Sequence, residues 1–223
     1  MNNHFKLLTD DVPELRDYLT AHATPEDPLL AELFRETYVK MHHPRRSSDH
    51  LAGLFLQMCC RMINPLRVLE IGTFTGYGAL SMASALAPEA ELHTIEKNDE
   101  LENPLRKWFG RSPYGSRIQL HVGDALEIIP TMEVTFDFVF IDGEKDQYPD
   151  YYHAVIDKVN PGGFILADNT LWSGKVVSGD IQAGDRFTRG VLEFNDLVQS
   201  DPRVENLLLP VFDGVMMIRK KDH

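Results

Sequence analysis

Residues 68–78 read VLEIGTFTGYG, an apolar run that leads into three closely spaced glycines. We predict a strand over Arg67–Ile71 and a helix over residues 77–86, joined by this glycine-rich turn. Glycine lets the backbone turn tightly and approach a bound ligand closely. The spacing G-x-x-x-G-x-G differs from the G-x-G-x-x-G that is typical of pyrophosphate binding. The stretch therefore predicts a strand–turn–helix unit and a candidate ligand site, with tight packing as the alternative role of the glycines.

The alternation of short apolar runs and helical patterns continues along the chain. Further strands are predicted at residues 91–96, 118–122, 136–142 and 164–168, with helices through Trp108, beyond Asp124 and from about residue 149 to 159. Strands separated by helices of about 10–15 residues are typical of a parallel sheet that is covered on both faces. The last two runs, 204–212 and 215–219, flank Asp213-Gly214 and predict an antiparallel hairpin, because Asp-Gly suits a tight turn.

The first sixty residues have the periodicity of helices. After Pro28, the residues at helical spacing are Leu29, Leu30, Leu33, Phe34, Thr37, Tyr38 and Met41. A second helix is expected after a cap at Ser48, with an apolar stripe of Leu51, Leu54, Phe55, Met58, Cys59 and Met62. We expect the methionines and the cysteine of that stripe to fill the core. The chain is thus predicted to be one domain over residues 1–223, in which a helical cover (1–63) packs on an α/β core (64–223).

Composition limits the classes of partner. The 223 residues include 22 basic and 34 acidic side chains, which gives a net charge of −12 and disfavours nucleic acid as the main ligand. Cys59 and Cys60 are neighbours, so a stabilising disulfide between them is not expected. Residues 1–10 contain no apolar signal segment, and no run of 18 apolar residues suggests a membrane span. We therefore expect a cytoplasmic protein.

Two acidic residues follow strands in the first half of the predicted sheet. In an open α/β sheet, ligands bind beyond the carboxyl ends of the strands. Glu96 ends the second strand, where a carboxylate can accept hydrogen bonds from both hydroxyls of a ribose; a solvated glutamate beside Lys97 is the alternative. Asp124 follows the third strand, where it can meet an adenine amino group, cap a helix, or do both.

The ends of the fourth and fifth strands carry a different combination of groups. Asp142 terminates one apolar strand, and Asp168-Asn169 terminates the next. Two carboxylates and an amide oxygen suit a hard divalent ion such as Mg²⁺ or Mn²⁺, whereas strand-end caps are the alternative. Lys145 lies three residues beyond Asp142, where it can reach a hydroxyl at that site, or else be a surface lysine. Residues 172–175 (WSGK) can cover the site as a lid.

Three stretches together closely resemble the cation-dependent O-methyltransferases of the caffeoyl-CoA and catechol type. They are residues 68–78 (VLEIGTFTGYG), 138–148 (FVFIDGEKDQY) and 162–175 (GGFILADNTLWSGK). The similarity runs from about Met41 to Lys220, and D-x-x-K-x-x-Y combined with A-D-N-x-L-W-S-G is its specific part. Two departures are Gly78, where a serine is common, and Gly143, which replaces the usual alanine.

The resemblance implies S-adenosylmethionine as cofactor and a Rossmann-like methyltransferase three-layer sandwich: a mostly parallel seven-stranded sheet with an antiparallel C-terminal hairpin strand. It assigns cofactor binding to Glu70, Gly72, Thr73, Tyr77, Glu96, Asp124, Ala125 and Asp142. It assigns the metal to Asp142, Asp168 and Asn169, with Mg²⁺ expected and Mn²⁺ or Ca²⁺ as alternatives, and the catalytic base to Lys145. The family resemblance and the apolar N-terminal helices also suggest a homodimer.

The implied reaction is methyl transfer from S-adenosylmethionine to one hydroxyl of a vicinal-dihydroxy aromatic. A phenolic hydroxyl with a pKa of roughly 10 is mostly protonated at neutral pH, so the site must stabilise its anion. Three alternatives remain at this point. A hydroxylated uridine in tRNA is the first, since Arg45 and Arg46 can meet RNA. A nicotinamide-dependent dehydrogenase and a non-catalytic binding protein are the more remote ones.

Overall fold

The computed structural model describes residues 13–178 and 181–222. The N-terminal segment in which no signal peptide is expected lies outside these residues, as do residues 179 and 180. The described strands are β1 (Arg67–Ile71), β2 (Glu91–Glu96), β3 (Ile118–Val122), β4 (Phe136–Ile141), β5 (Val159–Ala167), β6 (Val204–Leu209) and β7 (Val215–Lys220). The described α-helices are α1 (Pro13–Ala21), α2 (Pro28–Lys40), α3 (His50–Ile63), α4 (Tyr77–Ala85), α5 (Glu102–Arg111), α6 (Ala125–Thr131), α7 (Tyr148–Ile156) and α8 (Arg186–Ser200).

The seven strands form one sheet in the order β3-β2-β1-β4-β5-β7-β6. The first five are parallel, whereas β7 is antiparallel to both β5 and β6. The predicted α/β sandwich with an antiparallel C-terminal hairpin is therefore confirmed. The chain turns outward in opposite directions from β1 and from β4, and the carboxyl ends of these two neighbours form the switch point at which such sheets bind ligands.

Helices cover the two faces of the sheet and explain the alternation of buried side chains. On β1, Val68 faces a core formed with α2–α5, whereas Leu69 and Ile71 face a second core formed with α6, α7 and α8. Because β4 is covered on both faces, its apolar run FDFVFI is almost continuous, as buried parallel strands require. Packing on both faces fixes the strands so that their carboxyl ends lie along one edge of the sheet. The polar residues that follow the strands lie at this edge.

The strand register continues into the first residues of the loops. The amide of Gly72 donates to the carbonyl of Ile95 at 3.0 Å, and the amide of Gly123 donates to that of Glu96 at 2.9 Å. On the other side, the amide of Asp142 donates to Ile71 at 2.8 Å, and that of Asp168 donates to Ile141 at 3.1 Å. The sheet thus fixes side by side the residues that the sequence places at separate strand ends.

Three predicted boundaries in the second half of the chain are wrong. The fifth strand begins at Val159 rather than at residue 164, because Val159 already pairs with Phe136 before a register shift in β4; the preceding helix accordingly ends at Ile156. The hairpin is present, but β6 ends at Leu209, and a five-residue connection leads to β7. Its positive φ angles lie at Phe212 (52°) and Gly214 (88°), so Asp213-Gly214 is part of a longer turn.

The N-terminal helices differ from the expectation in their caps and faces. Asp49, not Ser48, caps α3, since its Oδ1 accepts from the amide of Ala52 at 3.0 Å. Cys59 is buried as expected, but Met58 and Met62 are 47% and 75% exposed. Tyr38 of α2 is also exposed. Periodicity located these helices correctly, but it overestimated how far round each helix the core extends.

No helix in the described ranges is long and apolar enough to cross a membrane.

Candidate active site

A cleft of about 600 Å³ opens at the carboxyl ends of β1–β5. This volume lies within the range of roughly 300–1,000 Å³ that is usual for small-molecule sites. Of the residues predicted for the site, the cleft is lined by Gly72, Glu96, Ala125, Asp142, Lys145, Asp168 and Asn169. A narrow recess of about 10 Å³ shares Gly72 and Asp142 with it and is lined in addition by Glu70, Thr73 and Tyr77.

Glu70 is fully enclosed beneath the glycine-rich turn. Its Oε2 accepts from the hydroxyl of Thr94 at 2.5 Å, and the Thr94 hydroxyl lies equally close to that of Thr73. Burial raises the pKa of Glu70 to about 8 against the opposing effect of the Thr94 hydrogen bond, and the charges of Asp142 and Glu96 raise it further. A carboxyl in this position holds a proton readily, so it is well suited to hydrogen-bond a cofactor group.

Glu96 is 9% exposed and is therefore not a solvated surface glutamate. Its two oxygens accept backbone N–H bonds, from Phe74 at 2.7 Å and from Asn98 at 2.8 Å. Burial raises its pKa, while these backbone bonds and the Arg46 charge oppose the rise. The two amides fix the carboxylate at the end of β2, and its side chain lines the cleft.

Asp124 occupies the end of β3 but does not itself line the cleft. Its Oδ1 accepts from the amide of Leu126 at 2.9 Å and so caps α6, whereas its Oδ2 accepts from Lys97 Nζ at 2.6 Å. These two bonds lower the pKa of Asp124. The helix-cap role is thus realised, and the neighbouring Ala125 is the residue of this pair that faces the cleft.

Glycine is required at the start of the turn. Gly72 has a φ of +96°, and a Cβ there would lie 2.4 Å from the carbonyl oxygen of Asp142, so no other residue fits between β1 and β4. The two family departures also have close neighbours. A Cβ at Gly78 would lie 2.5 Å from Glu70 Oε1, and one at Gly143 would lie 2.8 Å from the ring of Tyr151. A serine or alanine at these positions would require both neighbours to shift.

Lys145 is buried beside Asp142 rather than exposed. Its Nζ donates to Asp142 Oδ1 at 2.8 Å and to the Tyr148 hydroxyl at 2.7 Å. The Tyr148 hydroxyl in turn lies 3.0 Å from the carbonyl of Asp168 and 3.2 Å from that of Ile141. Burial and the nearby Asp142 charge raise the pKa of Tyr148 well above its usual value, so this phenol keeps its proton. Tyr148 therefore holds the ammonium group in place.

Asp168 and Asp142 face each other across the ends of β4 and β5. Burial, reinforced by the negative charge of Asp142, raises the pKa of Asp168 to about 7, although Lys145 and the amide of Asn169 oppose the rise. Asn169 has a φ of +59°, which turns the chain sharply as it leaves β5. The two carboxyls thus carry more negative charge than the single nearby ammonium group neutralises.

The C-terminal hairpin supports the loop after Asn169. The amide of Thr170 donates to the carbonyl of Gly214 at 2.9 Å, and the amide of Leu171 donates to that of Asp213 at 2.9 Å. A Cβ on Gly214 would lie 2.5 Å from the Leu171 amide, so only glycine allows this contact. The loop then presents Trp172, whose ring lies 6.2 Å from that of Phe187, and both rings line the cleft.

Several contributors to the site were missed from the sequence. Thr94 stands opposite Glu70 in the β1–β2 register, and a polar pair inside two apolar strands is the signal that could have revealed it. Tyr148 belongs to the quoted D-x-x-K-x-x-Y motif but was given no role. Arg46 donates to Glu144 at 3.1 Å and lies 6.0 Å above the Phe74 ring, so its position across the cleft rests on contacts between distant segments that leave no local pattern.

Comparison with known proteins identifies the family. The sequence model of the O-methyltransferase family matches residues 20–221. The chain belongs to this O-methyltransferase family. The caffeoyl-CoA O-methyltransferase of Petroselinum crispum is 33% identical over 97% of this chain and 94% of its own length. The caffeoyl-CoA O-methyltransferase of Eucalyptus gunnii is 35% identical over 97% of this chain and 90% of its own.

Solved O-methyltransferase structures share the architecture. The Podospora anserina methyltransferase PaMTH1, bound to SAH (S-adenosylhomocysteine), superposes with a TM-score of 0.89 at 28% identity, and the alignment covers 100% of both chains. The Bacillus cereus O-methyltransferase in complex with SAH gives a TM-score of 0.86 at 25% identity, covering 93% of this chain and 97% of that one. Both structures hold the demethylated product of S-adenosylmethionine.

The protein is thus an S-adenosylmethionine-dependent O-methyltransferase. The comparisons give no support to the nicotinamide-dependent dehydrogenase or to the non-catalytic binding protein. The tRNA alternative gains no support from these relatives. Arg46, one of the two arginines on which that alternative rested, is paired with Glu144 at the cleft.

Proposed function

We propose that this O-methyltransferase uses a divalent cation to methylate one hydroxyl of a vicinal-dihydroxy aromatic of the catechol or caffeoyl type. The observation that carries the proposal is the pair of facing carboxyls, Asp142 and Asp168, at the edge of a cleft that also contains Trp172 and Phe187. The printed names of the Petroselinum and Eucalyptus relatives, caffeoyl-CoA O-methyltransferase, support the same acceptor class.

The chemistry of the donor set fits a hard dication. Asp142 and Asp168 supply carboxylate oxygens and Asn169 an amide oxygen, which are ligands that Mg²⁺, Mn²⁺ or Ca²⁺ accept. These ions take six or more ligands, so the three residues would leave several positions to water and substrate. Among the described residues no group of three or more His, Cys, Asp or Glu is arranged to hold a metal. The raised pKa of Asp168 supports this assignment, since a cation between the two carboxyls would relieve their repulsion.

The cofactor side of the cleft is proposed to bind S-adenosylmethionine from end to end. Glu96 would accept the ribose hydroxyls, and Asp124-Ala125 would lie at the adenine end. Gly72, Thr73 and Tyr77 would surround the methionine part, with Glu70 beneath it and Asp142 at the boundary with the metal side. This order follows the strand ends of β1, β2 and β3 as they meet the cleft and the recess.

Trp172 and Phe187 are proposed to receive the acceptor ring. Aromatic side chains bind a flat ring through stacked or edge-on contacts, and their separation of 6.2 Å makes them one apolar wall of the cleft. Asp142 and Asp168 lie on the polar side of the same cleft. A catechol would therefore be oriented with its ring on the aromatic wall and its two adjacent hydroxyls toward the carboxyls.

Lys145 is the proposed general base. In the overall reaction the methyl group leaves the sulfonium sulfur with its bond electrons on sulfur, and the acceptor oxygen forms the new C–O bond and loses its proton. When bound, a divalent cation lowers the affinity of a hydroxyl for its proton and orients the two oxygens. Lys145 Nζ would take the proton as the free amine, the form that the positive charge of a bound cation would favour, while its contact with the Tyr148 hydroxyl keeps the nitrogen at the site.

We also propose that the chain is one domain that forms a cytoplasmic homodimer. The face of α3 that carries Met58 and Met62 is exposed, as is Leu207 on the edge strand β6. Exposed apolar side chains of this kind are suited to contact with a second copy. The two cysteines are free and buried, which is consistent with a reducing compartment.

The experiment that tests the metal-dependent function is turnover with and without a cation. Purified protein is assayed with pyrocatechol, a caffeoyl thioester and tRNA, each with Mg²⁺ and with excess EDTA. Turnover of a diol only with Mg²⁺ is expected, and Asp168→Asn should reduce it by about 100-fold or more, because one charged ligand is lost. The control is Asp157→Asn, which removes a carboxylate that is 82% exposed at its side chain, at the end of α7.

The outcomes separate the parts of the proposal. SAH binding by Asp168→Asn, measured by calorimetry, should stay within about threefold of the wild type, because the cofactor acids Glu70 and Glu96 are unchanged. Equal turnover with EDTA and with Mg²⁺ would overturn the metal dependence. Methylation of tRNA but not of either aromatic would overturn the acceptor.

A further inference from the structure

We propose that Glu26, outside the cleft, is a positioning residue for the cofactor: it fixes Tyr77, and through Tyr77 the N-terminal helices hold the glycine-rich turn in its binding conformation. Glu26 lies in the connection between α1 and α2. Its Oε1 accepts from the Tyr77 hydroxyl at 2.5 Å, across 51 residues of sequence. The inference rests on the proposed placement of the methionine part against Gly72, Thr73 and Tyr77.

Tyr77 is the point at which three segments meet. It is the first residue of α4, directly after the turn, and only 2% of its surface is exposed. Its ring fills the space beside Gly53 of α3, where a Cβ would lie 2.7 Å from the ring, and it meets the Phe34 ring of α2 edge-on at 6.0 Å. The same side chain lines the recess below the cleft. Any movement of Tyr77 would therefore alter the shape of that recess.

The Glu26 carboxylate provides the directional part of this contact. Packing contacts around the Tyr77 ring have no preferred direction, whereas a hydrogen bond from a phenol to a carboxylate is directional and is stronger than one between neutral groups. Burial raises the pKa of Tyr77 well above its usual value, and the hydrogen bond to Glu26 and the charges of Asp49 and Asp27 raise it further, so the hydroxyl keeps its proton and acts as a donor. Glu26 is the acceptor for that donor.

A second contact joins the same two parts of the chain. Thr37 Oγ1 of α2 lies 3.0 Å from Thr75 Oγ1, in the middle of the turn. The N-terminal helices thus touch the turn at Thr75 and at Tyr77, two residues apart. Two such contacts restrain the turn more effectively than either alone. Both come from the segment 26–37, which comprises the end of the α1–α2 connection and most of α2.

Coupling between docking of the N-terminal helices and cofactor binding must act in both directions. If docking of the cover strengthens cofactor binding, then bound cofactor must strengthen docking by the same factor. S-adenosylhomocysteine should therefore slow hydrogen exchange in the segment 26–37 as well as in the turn itself. An ordinary structural contact would lack this dependence on the cofactor, so exchange distinguishes a positioning role from a purely structural one.

The test compares Glu26→Ala and Glu26→Gln in the full-length protein. Loss of a hydrogen bond to a charged acceptor predicts that Glu26→Ala weakens SAH binding about tenfold by calorimetry. Glu26→Gln keeps an acceptor oxygen and should stay within about threefold of the wild type. Glu14→Ala, on the exposed surface of α1, is the matched control and should bind as the wild type does. Thermal unfolding of each variant shows whether the fold is retained.

Hydrogen exchange with and without SAH completes the experiment. In the wild type we expect protection of both 26–37 and 72–78, and in Glu26→Ala protection of 72–78 with much weaker protection of 26–37, because only the Thr37–Thr75 contact remains. Protection of the turn alone in the wild type, or unchanged SAH affinity in Glu26→Ala, would overturn the inference while leaving the cofactor placement intact. If SAH protects neither segment in the wild type, the placement and the inference fail together.

Discussion

The two halves of the cleft handle negative charge in opposite ways. On the cofactor side, Glu96 and Asp124 each accept hydrogen bonds from nearby backbone amides, and Glu70 accepts one from Thr94. On the proposed metal side, Asp142 and Asp168 end neighbouring strands, and Lys145 donates to Asp142 but makes no ion pair with Asp168 in the described chain. The protein therefore completes the first half by itself, whereas the second half has charge left over for an added cation.

The difference between the two halves can be tested at Lys145, where we expect the largest effect on kcat. Lys145→Met removes the proposed base but leaves the cofactor acids in place, so kcat for the diol should fall by about 100-fold or more. SAH affinity should change by less than about threefold. Steady-state kinetics measure kcat, and calorimetry measures the SAH affinity. Lys107→Met, at an exposed position of α5, is the control. A variant with wild-type kcat would remove Lys145 from the reaction.

At Glu96 we expect a smaller effect, and one on cofactor affinity rather than on kcat. Glu96→Ala leaves the amides of Phe74 and Asn98 without their acceptor and removes the ribose contact, so SAH should bind about 10- to 100-fold more weakly. At saturating S-adenosylmethionine, kcat should fall by less than about threefold, because the metal side is untouched. Glu100→Ala, an exposed neighbour, serves as the control. Loss of kcat without loss of affinity would contradict the division of the cleft into two halves.

At Glu70 we expect an effect on a different quantity, the pH dependence of the free energy of unfolding. Its pKa is about 8 in the folded protein and near the ordinary value of 4.5 when the chain is unfolded, so the folded state binds the proton more tightly. Its contribution to stability is therefore fully present below about pH 4.5 and is lost as the pH rises through 8. The slope is at most about 1.4 kcal/mol per pH unit.

Glu70→Gln removes this ionisation while it retains an oxygen that can accept from Thr94. Urea unfolding of the ligand-free protein at pH 5, 6, 7 and 8 should show the wild type losing free energy of unfolding relative to the variant as the pH rises. A constant difference between the two proteins across that range would show that Glu70 does not titrate there.

Local pattern predicted the polar residues at the strand ends correctly, because a parallel sheet brings the carboxyl ends of all its strands to one edge. Asp142 and Asp168 could be expected to meet for that reason alone. The same logic failed at β5, where Val159 pairs across a register shift that the sequence does not reveal. It also failed at Met58 and Met62, since apolar periodicity cannot tell a helix face that is covered from one that is open.

The long-range side-chain contacts around the site could not be predicted from the sequence, for a different reason. The bonds of Glu26 to Tyr77 and of Arg46 to Glu144 join residues that are 51 and 98 positions apart. Nothing in the neighbourhood of either glutamate distinguishes it from an ordinary surface acid. Only the packing of the N-terminal helices on the sheet brings these partners together, and that packing has no short-range signature.

The support that the C-terminal hairpin gives to the loop after Asn169 has a consequence for synthesis. The proposed cofactor acids on β1–β3 are made well before Asp213 and Gly214, the two residues that support the loop after Asn169. During translation a nascent chain can thus assemble its cofactor half well before the loop after Asn169 has its final support. The two halves of the cleft then mature in order, and an incompletely synthesised chain would have no finished reaction centre.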